Sequence, residues 1–246
     1  FAQQQAVQKA SDVEEVETET SVENEYLNDI DGDIIMSLAN SDELDNKLVA
    51  LQYLQNAIDE GNTSETVIKA LDQLAGEGLT NQSRTNGRLM NNFPEVRRQA
   101  CLMMAKIPTE HSKNTLISIA VADNEPMVIA AAVKSLGEIG INENDETVEA
   151  IAFANRRNQV LNPTSSLALE VLTAYEVLAS NTENKNRIES AMQQWNEFVQ
   201  NFKTETTSSI GVISETTQNA INKEIEQSSD KVQHALEQIQ NEIVSD

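Results

Sequence analysis

The 246-residue chain is poor in the residues that most often announce a chemistry. It has one cysteine, two histidines, one tryptophan, eight glycines and four prolines, and its aromatic residues make up 4%. A single thiol, Cys101, excludes an intramolecular disulfide. His111 and His234 lie in different regions, and there is no CxxC, HExxH, GxSxG or phosphate-cradling glycine loop. No apolar run approaches the roughly 20 residues that a membrane-spanning helix needs. Basic residues are scarce as well: 17 Lys and Arg stand against 40 Asp and Glu, a net charge of −23. A chain so acidic repels the phosphate backbone of nucleic acid and anionic membrane surfaces, and attracts basic partners.

Ala, Leu, Ile, Val, Gln, Asn and Glu fill the chain instead, material that favours helices over strands. The expected fold class is all-α. The first 40 residues read as an acidic leader. Thirteen acidic residues and one lysine precede Asn46, and "SDVEEVETETSVENE" carries too few large apolar residues to order itself. Order can begin near "YLNDIDGDIIMSLA", where Tyr26, Leu27, Ile30, Ile34, Ile35 and Leu38 would share a helix face. The opening "FAQQQA" resembles the end of a bacterial secretory signal, so a periplasmic or secreted mature protein is expected.

From Leu44 onward apolar residues recur at three to four positions. Leu44, Leu48, Leu51, Leu54 and Ile58 form one stripe, closed by Gly61, and Val67, Ile68, Leu71 and Leu74 form the next, closed by Gly76 and Gly78. The polar loop "TNQSRTNGRLMNN" follows. Then "NNFPEVRRQACLMMAKI" (91–107) and "DNEPMVIAAAVKSLGEI" (123–139) repeat one pattern, and "NPTSSLALEVLTAYEVLA" (162–179) begins a third copy. Their prolines, Pro94, Pro126 and Pro163, are 32 and 37 residues apart. The unit is a pair of antiparallel helices whose apolar face stays wet until the next pair stacks on it. Residues 43–76 fit a degenerate first copy. The last partner helix, about 183–202, would close the array with Trp195, Phe198 and Phe202.

"FPEVRRQACLMMAKI" and "EPMVIAAAVKSLGEIG" resemble HEAT repeats, of the short bacterial kind also found in phycobilisome-lyase-like proteins. The first copy matches at Pro94, Val96, Arg97 and Ala100. The second matches at Pro126, Val128, Ala132, Leu136 and Gly137, with Ile129 where the family has Arg. The third keeps Asn162 and Pro163 and loses the Val-Arg pair. The resemblance implies an α-solenoid of about four helix pairs over residues 41–202 that binds other proteins through an extended surface. After it, residues 203–213 read as a Ser/Thr-rich linker and 214–246 as an amphipathic tail helix, with Ile221, Ile225, Val232, Leu236, Ile239 and Ile243 at near-heptad spacing.

No catalytic constellation emerges. Cys101, between Ala100 and Leu102, reads as a buried small hydrophobe, and His111 as a surface or capping residue. Asp29, Asp31 and Asp33 imitate the start of a calcium loop, but the glycine comes two places early, Ile34 stands where it should be and Asn40 replaces the closing Glu, so a turn or cap is the better reading. No metal or other cofactor is expected. A basic island is the more specific signal. Arg84, Arg88, Arg97, Arg98, Lys106 and Lys113 face only Glu95 and Glu110, and Arg156 and Arg157 form a second pair. Arg97 fits the packing arginine of the family. Together Arg84, Arg88, Arg97, Arg98, Arg156 and Arg157 also fit a docking patch for an acidic segment. Ile225, Val232, Leu236 and Ile239 offer a second attachment point on the tail. The expected function is a non-enzymatic scaffold or adaptor of a bacterial envelope assembly. Protein partners are expected, with no nucleic acid and no membrane insertion. The alternatives are a HEAT-like lyase subunit or chaperone for a chromophore-bearing protein, and a structural component that self-associates through its tail.

Overall fold

The computed structural model describes residues 32–161 and 164–179, together with single positions at 190, 193, 223, 230 and 234. The acidic residues 1–31, Pro163, the terminal aromatic residues Trp195, Phe198 and Phe202, the 203–213 linker, and the tail residues Ile225, Val232, Leu236 and Ile239 lie outside the described residues.

Eight helices make up most of what is described. They are α1 (residues 32–39), α2 (Leu44–Asp59), α3 (Glu65–Ala75), α4 (Pro94–Met104), α5 (Glu110–Ala122), α6 (Pro126–Ile139), α7 (Glu146–Leu161) and α8 (Ser165–Leu178). Between α3 and α4 stands a two-stranded ribbon, β1 (Arg84–Thr85) and β2 (Arg88–Leu89). The fold is all-α in its packing. Helices α2, α4, α6 and α8 stack in one layer, each on the next, while α3, α5 and α7 form a second layer, with α3 against α4 and α5 against α6. This two-layer stack is an α-solenoid.

Local chemistry sets the ends of these helices. Pro94 and Pro126 open α4 and α6 at the first turn, where a missing N–H costs nothing. The Thr109 hydroxyl caps α5 by accepting from the Ser112 amide at 3.2 Å. Gly140 closes α6 in the left-handed region, at φ 71°.

The repeated stripe faces inward. Val96, Ala100 and Met104 of α4 and Val128, Ala132 and Leu136 of α6 are all buried. Full burial of one such aliphatic side chain is worth roughly 1.5–3 kcal/mol. Helix α6 is covered on several sides, by α4, α5 and α8, and it is apolar almost all round, as such a position requires. Its small residues let the neighbours come close: a Cβ on Gly137 would lie 2.8 Å from the Cα of Ala174 in α8. The ordered stack also begins before residue 41. Ile35 and Ala39 of α1 are buried in the core, so this stretch of the expected leader is part of the solenoid. Ile34, placed on the same face by the sequence, is exposed instead.

Candidate functional site

The charged residues divide into two groups, one spent inside the stack and one presented to solvent. The buried group forms a line of contacts from α2 to α7. Lys47 of α2 sends its ammonium to Glu77 Oε2 at 2.7 Å and to the Ala39 carbonyl at 2.8 Å. The main-chain carbonyl of Glu77 accepts from Arg97 Nη1 at 3.0 Å. Arg97 then grips Asp123 with two nitrogens, Nε at 2.6 Å and Nη2 at 3.2 Å. Arg157 of α7 donates to the carbonyls of Val121 and Asp123 at the end of α5. Lys47–Glu77 and Arg97–Asp123 tie the first helix of a pair to the junction that follows its second helix, and the Arg97–Glu77 and Arg157–Val121 contacts join one pair to its neighbour.

Arg97 is therefore corrected as a docking residue. It is buried with Asp123, its other nitrogen is taken by the Asn92 Oδ1 and Glu77 carbonyls, and no partner can reach it without opening the stack. Arg157 also has a packing task. Where the second repeat has Ile129 in place of arginine, Ile129 is fully buried, and Arg157 supplies a guanidinium to the same turn from the opposite layer. Lys113 is buried between Glu110 at 2.7 Å and Glu146 at 3.1 Å. Burial alone would lower the pKa of Lys113, but the hydrogen bonds it donates to these two carboxylates, together with their charges, outweigh it and hold the pKa above the usual lysine value. At Glu77 the balance runs the other way. Burial pushes its carboxyl up against the pull of Lys47, and its Oε1 has no hydrogen-bond partner among the described residues.

The remaining members of the basic island are at the surface. Arg98 is half exposed and bonds Glu95 at 3.3 Å, while Lys106 reaches Asp59 at 2.7 Å. Arg156 is exposed on α7. Arg84 and Arg88 stand on the ribbon. Its register pairs Arg84 with Leu89 and Thr85 with Arg88, so the two arginines point to opposite sides of it. Asn86 and Gly87, at φ 51° and 79°, make the turn, as an Asn-Gly hairpin requires.

The foot of this ribbon is carefully held. The Asn91 side chain, itself buried, donates to the Asn81 carbonyl at 2.7 Å and accepts from the Ser83 amide at 2.8 Å. Asn81 donates back to the Gln73 carbonyl at the end of α3 at 3.2 Å. Gly78 has φ 73°, and a Cβ there would lie 2.6 Å from the Asn91 carbonyl oxygen, so only glycine fits. The Ser83 hydroxyl donates to Asp42, ahead of α2, at 2.8 Å. Above this foot Arg84, Thr85, Arg88 and Met90 are exposed. By composition the stretch reads as a polar loop, and its Asn-Gly pair is the available signal for a hairpin.

Cys101 is buried, and burial, with a smaller contribution from the Asp123 carboxylate, pushes its thiol up to about 12. It has no thiolate to offer near neutral pH. His111 Nε2 lies 2.6 Å from Asp72 Oδ2, and the Thr115 hydroxyl donates to Asp72 Oδ1 at 2.9 Å. A His–Asp pair acts as a base when a third group gives its proton to the imidazole. Here the hydroxyl bonds the carboxylate instead, and the trio ties α5 to α3. Among the described residues no group of three or more His, Cys, Asp or Glu is placed to hold a metal ion, and no helix is long and apolar enough to cross a membrane.

Residues 88–158 match the family model for HEAT repeats. No curated protein and no solved structure matches the chain.

Proposed function

We propose that the chain is a scaffold that docks acidic segments of other proteins on its basic ribbon, a reading supported by the match of residues 88–158 to HEAT repeats, units that commonly mediate protein–protein contacts in typically non-enzymatic scaffolds. The observation that carries this reading is the mounting of residues 84–89. A network of buried and half-buried asparagines fixes the foot of the ribbon, yet its arginines and Met90 contribute nothing to the core. An ordered surface element that presents guanidinium groups at low entropic cost is suited to recognising carboxylates. Tyr53 of α2, Met127 of α6 and Val177 of α8 are exposed along one layer and add apolar contact. The tail residues Ile225, Val232, Leu236 and Ile239 provide a second attachment point in this proposal, and two linked sites gain affinity through effective concentration. The bacterial envelope setting belongs to the same proposal and is checked by fractionating the native cell.

The test is binding of a glutamate-rich peptide, followed by fluorescence anisotropy at low and high salt. The wild-type chain is expected to bind it in a salt-sensitive manner, and the double reversal Arg84→Glu/Arg88→Glu to lose most of that binding. Equal binding by the two proteins would remove the ribbon from the docking surface.

A further inference from the structure

We propose that Asn86 is a modification site, at which the chain deamidates spontaneously and so alters its own ribbon. Asn-Gly occurs once in the sequence, and the fold places it at the exposed tip of β1–β2. The residue after the asparagine decides the chemistry, because its backbone nitrogen is the nucleophile. Gly87 has no side chain to hinder approach, and a Cβ built on it would meet nothing within 4 Å. Its amide also lies outside the ladder pairs, which join Arg84 to Leu89 and Thr85 to Arg88.

In the reaction the Gly87 nitrogen attacks Cγ of Asn86. The Cγ–Nδ2 bond breaks and ammonia leaves, giving a five-membered cyclic imide. Water then adds to one of the two imide carbonyls and opens the ring. Opening on one side restores the chain with aspartate at 86. Opening on the other routes the main chain through the side-chain carboxyl and leaves isoaspartate. The only co-reactant is water, and the only by-product is ammonia. The attack requires the turn to leave its closed shape. Beyond the fixed foot the tip is held by two ladder pairs, of whose four residues only Leu89 is partly buried, and a turn so placed opens locally at little cost while the foot stays ordered.

Both products change the ribbon. Each places a carboxylate in the turn between Arg84 and Arg88. Isoaspartate also adds a main-chain carbon to a two-residue turn that fits only when both residues keep positive φ, so the pairing of Arg84 with Leu89 is lost. A loss of docking follows from the function proposed above. The modification itself does not depend on that function.

The experiment ages the full-length chain in mildly alkaline buffer and locates acid products by peptide mapping, with enzymatic methyl transfer to isoaspartate as a second readout. Asn86 is expected to convert first, with isoaspartate as the main product, and Asn86→Ser is expected to abolish most of the methyl acceptance. Earlier conversion at another asparagine, such as the exposed Asn40 before Ser41, or undiminished methyl acceptance in Asn86→Ser, overturns the proposal. The glutamate-rich peptide then separates the two ideas. If Asn86 converts while the peptide binds aged and fresh chains equally, the docking reading fails and the modification stands.

Discussion

Arg97 and Asp123 stand 26 positions apart in the chain and meet as a buried two-point ion pair across the seam between successive repeats. Asp123 also accepts the Glu125 amide at 2.9 Å, ahead of α6, so one carboxylate both shapes the turn and fastens α4. Removing one partner of such a pair leaves the other charge buried without compensation. Asp123→Ala is expected to cost roughly 3–5 kcal/mol in urea unfolding. Arg98→Ala, next to Arg97 but with a solvent-screened partner, is expected to cost no more than about 1 kcal/mol. Equal costs for the two would show that the seam does not depend on the pair.

Glu77 gives a pH signature. Burial raises its pKa above the ordinary 4.5, so the folded chain binds this proton more readily than the unfolded one. The stability that comes from this group is complete below 4.5 and is lost as pH rises through the higher folded value. Relative to Glu77→Gln, the wild type is expected to gain stability as the medium is acidified through that window. Urea midpoints of both proteins across the range check it. A wild-type advantage that grows with pH would mean that Lys47 outweighs burial.

Cys101 reports on opening of the stack. With its thiol buried and pushed up to about 12, it is expected to resist a thiol reagent at neutral pH and to react at the rate at which the α4–α6 contact opens. Its labelling is therefore expected to accelerate in Asp123→Ala. Fast labelling of the native wild type would contradict the packing described here.

The apolar frame was legible because its signal is local and repeated. The spacing of Val96, Ala100 and Met104, and of Val128, Ala132 and Leu136, announces a buried helical face, and all six residues are buried. The polar seam was not legible in the same way. Lys47 meets Glu77 across 30 positions and Arg157 meets Asp123 across 34, distances at which spacing carries no information. A count of neighbouring charges groups Arg97 with Arg84 and Arg88, and only the resemblance marks it as a packing arginine; folding sends it inward and leaves them outside. The ribbon was hidden for a different reason. Strands of two residues are too short for alternation to show, which left Asn86–Gly87 as the whole signal.

The clamp from Lys47 to Arg157 runs along the stack, and each link stays at the end of its own helix pair or reaches only the adjacent one. Pulled by its two ends, such an array has, among the described residues, no tie beyond adjacent pairs to share the load. The seams would give way in succession, beginning at the weakest, so the chain would yield in steps and lengthen under modest force rather than snap as a unit.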